Sequence, residues 1–539
     1  MAHLAGNKRL FHALAALTGG VFLVSGCTTP PPPRDTVTIA MSGEPPDLNG
    51  TKATDAESFF VLGHVMEGLT RAGRDGKPSP AVAERWKITD SGATFYLREN
   101  ARWSDGRPVT APDFVYAWRT AVDPANASEY AFILYPVKNA EKIVAKKAPV
   151  ESLGVTALDD RTLQVTFEKP CGYFLSLTSF ATYFPVREDF HRLHGERYGA
   201  DADKLLYNGA FRLTQWVHGA SLRLEKNPNY WNAPAVKLAA IDIPYITPDL
   251  SAQLNLYKDR KIDLVSLGKT TLRTAMRERF RMKKYSDGTV FYLEYNFKEG
   301  RLTRSKNLRQ AIQLVFDGEE YVDKVVSIPG TLVARSVVPS WIAGKKGLFR
   351  QDFPLSVTKP DLAAARRHLA QAMKELGLKD PPSLVWLTGD SPGAAKEAEY
   401  FQNLLQSRLG ITLKIDKQIF KQRLAKMTSG DFDIVSAGWG PDYNDPMTFA
   451  DLMTSWNENN RGRWTNAGYD ALIRRAQSTT DAIVRMDAMA AAEKILLEEQ
   501  PLLPLYERSV IYTQSERLAG VGRRSVGFDP DFTTATVTN

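Results

Sequence analysis

From Thr36 to its C-terminus the sequence predicts a mixed α/β protein of about two or three domains, and three observations carry this. Short runs alternating apolar and polar residues are interleaved with longer runs whose apolar residues recur every three or four positions. The first period belongs to half-buried strands and the second to amphipathic helices, so helices are expected to cover the sheets. Hydrophobic residues make up 43% and charged residues 24%, an ordinary globular balance. The third observation is length: 539 residues exceed what one hydrophobic core can organise.

The N-terminus reads as an address and an anchor. Lys8 and Arg9 form a basic start, and Leu10 to Val24 is apolar apart from His12, Thr18 and two glycines. That run is short of the roughly 20 residues a membrane-spanning helix needs, and it fits the apolar region of a signal peptide. Leu23-Val24-Ser25-Gly26-Cys27 resembles a bacterial lipobox, with small residues for the peptidase and a thiol to accept diacylglycerol. Residues 1–26 are therefore expected to be a lipoprotein signal peptide and Cys27 the lipidation site. The product would be exported and lipid-anchored, in the periplasm or on the outer face of the cell membrane. Residues 27–35 contain Pro30-Pro31-Pro32-Pro33, a stiff polyproline tether.

The elements follow in order. Thr36–Ala40 alternates like a strand; Ser58–Leu69 has helical periodicity; Ala93–Leu97 is a second strand signal. Asp105-Gly106 marks a turn. Thr110 is placed to cap a helix with Pro112 in its first turn, Asp113 three residues on, and Phe114, Val115 and Trp118 on its apolar face. Thr162–Phe167 and Phe291–Phe297 are strand-like, and Asn307–Val326 is helical. Ser383–Leu387, Ile411–Ile415 and Asp433–Ala437 read as strands, Ala395–Leu409 and Ala482–Leu497 as helices. Asp445-Pro446 reads as the cap and first residue of a helix over Met447–Trp456.

The usual catalytic patterns are missing. Gly268-Lys269-Thr270 lacks the upstream glycine of a phosphate loop, since position 263 is Asp263, and it reads as a surface turn. His191 and His194 lie one helical turn apart with no third ligand implied, so a solvated helix is expected. No Gly-x-Ser-x-Gly elbow occurs. Cys171, the second of two cysteines, reads as a buried structural thiol. The formal net charge is +8, falling to +6 once Lys8 and Arg9 leave with an export segment that contains no acid. Spread among 61 acids, that charge is no footprint for nucleic acid. No cofactor, metal or enzymatic activity is expected.

Four stretches then stand out: Met66–Leu69 with Pro80–Trp86; Phe95–Arg98 through Trp103-Ser104-Asp105-Gly106 to Val109–Tyr116; Asn208–Phe211 with Trp216, Leu224 and Asn227–Trp231; and Gly438-Trp439-Gly440-Pro441-Asp442-Tyr443-Asn444-Asp445-Pro446. They resemble, in family order, the oligopeptide-binding proteins of ABC importers, the extracytoplasmic solute-binding proteins of family 5 typified by the Opp system. The resemblance implies a two-lobed periplasmic-binding-protein type II clamshell with an extra inserted domain. Lobe I would comprise 36–65 with 187–291 and 508–539, the inserted domain 66–186, and lobe II 292–507. A peptide-like ligand would be held between the lobes as an added strand and passed to the permease subunits of an ABC importer, with the binding protein a monomer.

Most residues of these motifs read as architecture, Trp86, Trp103 and Asn227–Trp231 included. Asp442 has two readings, a turn-forming side chain and the carboxylate that meets the ligand's α-ammonium. By resemblance Trp439, Tyr443 and Asn444 line the cleft beside it, Glu294 and Asn296 face it from a strand, and Tyr130 and Thr54 reach the ligand. Phe420 stands where the family has an aromatic. Met427 and Ser436 stand where the family places basic residues for a peptide C-terminus, and Arg423 or Arg508 are the available substitutes. This departure leaves open a murein-derived peptide or another solute, such as a metal chelate or a glycoside. A lipoprotein peptidase and a peptide-holding chaperone are the readings from other classes.

Overall fold

Val37, Ile39 and Met41 point into the core from the strand Thr36–Met41, as their alternation requires. In the computed structural model, which describes residues 35–73 and 76–538, this strand pairs in parallel with Ala240–Ile246 and Leu264–Leu267. The signal peptide, Cys27 and all of the tether but Asp35 lie outside the described residues. On one side the hairpin Phe211–Val217 and Ser221–Lys226 extends the sheet. On the other, Leu264–Leu267 pairs antiparallel with Leu502–Gln514, which in turn runs along Met282–Tyr295.

These two long strands carry the sheet into the second half of the chain. Met282–Tyr295 pairs with Ile434–Trp439, which pairs in parallel with Ser383–Gly389, and that strand with Thr412–Gln418. Eleven strands make one continuous sheet. Met282–Tyr295 and Leu502–Gln514 pair along its middle. Between Ser286 and Val290 their register shifts around Gly288, whose φ of +78° lies in the left-handed region that glycine adopts without strain. The Met282–Tyr295 strand therefore starts nine residues before the predicted Phe291. Its first half is polar and was invisible to an apolar period.

A separate four-stranded antiparallel sheet, in the order Ala83–Thr89, Gly92–Leu97, Thr162–Thr166, Val155–Asp159, forms the inserted domain. The helix Ala111–Val122 covers it, burying Phe114, Ala117 and Trp118 while Val115 stays half-buried. Its cap is the one expected: Asp113 accepts from the Thr110 backbone N–H at 2.8 Å, and also from Trp103 Nε1 at 3.1 Å. In lobe II the helices Lys306–Val315, Leu362–Leu376 and Pro392–Leu409 close around Trp386, Phe401 and Leu384.

Several elements differ from the periodicity. The helix predicted over Ser58–Leu69 spans Ala56–Val65. It ends because Met66 turns extended and Glu67 is needed elsewhere, its carboxylate accepting from Tyr230 Oη at 2.6 Å and Trp231 Nε1 at 2.5 Å. A Cβ on the next residue, Gly68, would fall 2.5 Å from Thr178 O, so only glycine fits. The helix predicted over Asn307–Val326 stops at Val315 and restarts at Gly318, with Asp317 accepting from the N–H of Glu319 and Glu320. Met447–Trp456 is helical only over Met447–Ala450, because Asn457 and Asn460 amides satisfy the backbone beyond it. Lys269 and Thr270 open the helix Lys269–Arg277 where a surface turn was expected, since Gly268 N–H donates to Thr271 Oγ1 at 2.8 Å. Trp103 is fully buried as expected, but Trp86 is only half-buried. His191 lies on the expected helix, held by the Tyr116 hydroxyl.

Candidate functional site

The strand Ile434–Trp439 ends at the loop Gly440–Pro446, and four hydrogen bonds fix that loop before any ligand is considered. Trp439 Nε1 donates to Thr448 O at 2.8 Å, and Asp442 N to Thr448 Oγ1 at 3.1 Å. Asp445 accepts both Nη1 and Nη2 of Arg485, at 2.9 and 2.7 Å. Fork-to-carboxylate geometry of this kind fixes orientation as well as position. Asp445 does accept from Met447 N–H at 3.0 Å, but it is not the expected helix N-cap: Pro446 occupies that place, and the Arg485 pair is the larger commitment.

The wall opposite comes from the inserted domain. Tyr130 lies beside Trp439, ring centroids 6.3 Å apart and 13° from parallel, and its hydroxyl donates to Asp442 Oδ1 over a long 3.4 Å. Phe59, Phe132 and Phe180 pack around Tyr130 and hold it there. Tyr443 stacks on Tyr173 at 5.3 Å and 6°. Flanking these rings, Arg461 pairs with Glu129 at 2.7 Å and Arg474 with Glu141 at 2.6 Å. Phe420 lies against Gly43, and the Asn444 amide against Gly76. Asp442, Trp439, Tyr443 and Tyr130 thus meet side chains across a seam from the loop or stand beside it, while Phe420 and Asn444 lie against Gly43 and Gly76.

The other expected residues do different work. Asn296 is fully buried, its amide spent on the carbonyls of Gly430 and Phe432 at 3.0 and 2.8 Å. Glu294 accepts from Gly462 N–H at 2.7 Å, bracing the backbone next to Arg461; burial pushes its carboxyl up to about 7. Thr54 is half-buried one residue before Asp55, whose carboxylate caps the helix Ala56–Val65. Sequence reading missed Glu129, Arg461 and Arg485, charged residues within ordinary helical and loop contexts that reveal a partner only in three dimensions.

The electrostatics of the seam are one-sided. Desolvation raises the Asp442 carboxyl well above the usual carboxylate range, and Asp451 nearby raises it further, against a smaller opposing pull from the Tyr130 hydroxyl. Burial pushes Asp451 itself up to about 8. Among the described residues no Lys or Arg lies within ion-pair distance of Asp442. Two desolvated acids thus lie close together here, Asp442 at the Tyr130 hydroxyl and Asp451 at the Tyr443 hydroxyl. Cys171 is buried as expected, its thiol pushed up to about 12, which suits a structural residue rather than a nucleophile. Among the described residues no group of three His, Cys, Asp or Glu is arranged to hold a metal ion.

A two-lobed fold with an inserted domain and an acidic, aromatic seam between lobes defines an extracytoplasmic binding protein. The chain belongs to the bacterial extracellular solute-binding proteins of family 5, whose middle-region model matches residues 77–461. The dipeptide-binding protein DppE of Bacillus subtilis is 31% identical over 473 residues, covering 87% of this chain and 86% of that one. The crystal structure of an oligopeptide ABC transporter substrate-binding domain from Bacillus anthracis superposes with a TM-score of 0.89 at 35% identity, covering 94% of this chain and 99% of that one. The OppA of Listeria monocytogenes bound to peptide gives 0.88 at 33% identity, covering 94% and 99%.

Proposed function

We propose that this protein captures short peptides between its lobes and delivers them to an ABC importer while anchored to the membrane through Cys27. The observation that carries the reading is Asp442, a desolvated carboxylate with no Lys or Arg at ion-pair distance among the described residues, beside the aromatic ring of Tyr130. A peptide's α-ammonium is charged at neutral pH and cannot be buried without a partner. Family membership and relatives that bind peptides support the same ligand class. The segments 36–65 with 187–291 and 508–539, 66–186, and 292–507 are proposed as the bodies that move on capture.

The test is calorimetry with one tripeptide, free and N-acetylated, on the wild type and Asp442→Asn. A charge-assisted hydrogen bond contributes about 1.5–3 kcal/mol, so both acetylation and substitution should weaken binding at least about tenfold. Equal affinity in all four combinations would remove Asp442 as an ammonium anchor. For the anchor, Cys27→Ser should release the protein from washed membranes, because the acyl chains supply nearly all the membrane affinity. A variant still sedimenting with membranes after a high-salt wash would refute lipidation.

A further inference from the structure

Four neighbouring strands of the large sheet share one end of the molecule. Thr36–Met41, Leu264–Leu267 and Met282–Tyr295 begin there and Leu502–Gln514 finishes there, with Ile39 beside Leu264, Leu264 opposite Gln514 and Met282 opposite Thr513. The described chain also begins at this end, where the carbonyl of Asp35 accepts from Ala239 N–H at 2.7 Å. Short turns bring basic residues here, just ahead of the strands. Arg260 and Lys261 follow the helix Leu250–Lys258 and precede Leu264–Leu267. Arg277 closes the helix Lys269–Arg277, and Arg279 and Arg281 lead from it into Met282–Tyr295, whose second residue is Lys283.

All six of these basic side chains are exposed. Several acids of this end are already engaged: Asp259 lies 3.8 Å from Lys261, Glu278 accepts from Lys258 at 2.8 Å, and Asp263 takes Arg517 at 2.6 Å. Asp35 and Glu516 also lie here and are exposed. Among the described residues no carboxylate comes within ion-pair distance of Arg260, Arg277, Arg279, Arg281 or Lys283. The exposed side chains of Met276 and Met282 lie among them. Like charges gathered on one face repel one another, a cost that an anionic partner removes.

We propose that this basic end of the sheet is a docking surface for a bilayer rich in anionic phospholipid, whose headgroup phosphates meet Arg260, Arg277, Arg279, Arg281 and Lys283. This rests on the anchoring through Cys27 proposed above. Cys27 and Asp35 are eight positions apart in the sequence, a span of at most about 29 Å for an extended chain. A molecule held at Asp35 presents this end of the sheet to the bilayer first. Near an anionic surface each Lys or Arg strengthens binding about fivefold, so five of them hold the protein down once the anchor has brought it close. Gly43, which lies against Phe420, follows the other end of Thr36–Met41, so a molecule lying on this surface turns that contact away from the lipid.

The test places the full chain, as purified from membranes, on vesicles of phosphatidylcholine alone and of phosphatidylcholine mixed one to one with phosphatidylglycerol. Hydrogen exchange over residues 277–283 should slow at least about fivefold on the anionic vesicles and stay unchanged on the neutral ones. High salt should undo the protection by screening. Arg277→Glu with Arg281→Glu should abolish it, whereas Arg277→Lys with Arg281→Lys should keep it, because charge is what the surface reads. Both pairs are exposed, and urea midpoints equal to that of the wild type check that the variants fold. Equal exchange on the two kinds of vesicle, or protection that survives the Glu pair, would overturn the docking surface. Flotation reads the anchor separately, since acyl chains carry the protein up with neutral vesicles as well. Flotation on both kinds without protection leaves the anchor standing and removes the surface. Flotation on anionic vesicles alone, lost in the Glu pair, upholds the surface while the anchoring reading fails; flotation on neither ends both.

Discussion

Asp442 cannot ionise cheaply where it lies, and its titration should be visible in binding. Its carboxyl sits above the ordinary carboxylate range because of desolvation and the neighbouring Asp451, so at a pH where bulk carboxylates are ionised the unliganded cleft still holds protons. A ligand ammonium stabilises the ionised form and drives the proton off. The sign follows: capture releases protons, and affinity falls as pH drops from 7.5 toward 5. Calorimetry of one tripeptide in buffers of different ionisation enthalpy measures the release directly. Asp442→Asn should abolish most of it, and proton uptake on binding would contradict this electrostatic picture. The sequence pointed to Asp442 through its motif, but not to its state. That state depends on Tyr130 and Asp451, and Tyr130 lies 312 positions away along the chain.

At the scale of elements, the loop Gly440–Pro446 stands or falls with one ion pair. The Arg485 and Asp445 side chains are only 7% and 11% exposed. Removing one partner of such a pair strands a buried charge and costs about 3–5 kcal/mol. Arg485→Ala should lower the urea midpoint accordingly and weaken peptide binding as well, because the loop that aims Asp442 loses its tie to the helix Ala482–Glu499. Replacing both with apolar residues of matching volume should recover stability without recovering affinity. A double variant that recovers both would mean that the pair does not position the site. The strands and helices were largely legible, since Thr36–Met41, Gly92–Leu97, Ala111–Val122 and Pro392–Leu409 each carry a clean apolar period. The illegible stretches share a cause. Where Asp317, Asn457 or Glu67 diverts the backbone with a side-chain hydrogen bond, periodicity continues past the true end of the helix.

For the whole molecule, the seam joins surfaces that are far apart in sequence. Glu129 meets Arg461 and Thr428, Tyr130 meets Trp439, and Tyr173 meets Tyr443. A ligand that bridges the seam favours the closed arrangement by its differential affinity for it. Small-angle scattering should show a smaller radius of gyration with saturating peptide than without. Glu129→Ala should weaken binding by severalfold, because it leaves the buried Arg461 guanidinium without its carboxylate across the seam. An unchanged radius with saturating peptide would exclude closure as the means of capture. The two-lobed plan was expected from family motifs; which residues meet across the seam was not, because ion pairs between distant segments leave no pattern in either one.

The desolvated acids of the seam have a consequence for fidelity. If the lobes shut over water alone, Asp442 gives up hydration with nothing received in return, so a vacant molecule would resist the shape of a loaded one. Any downstream machinery that reads shape would then be shielded from false reports. On the peptide reading, the group that meets the cargo also certifies its presence, and Asp442→Asn should shut more readily while carrying less.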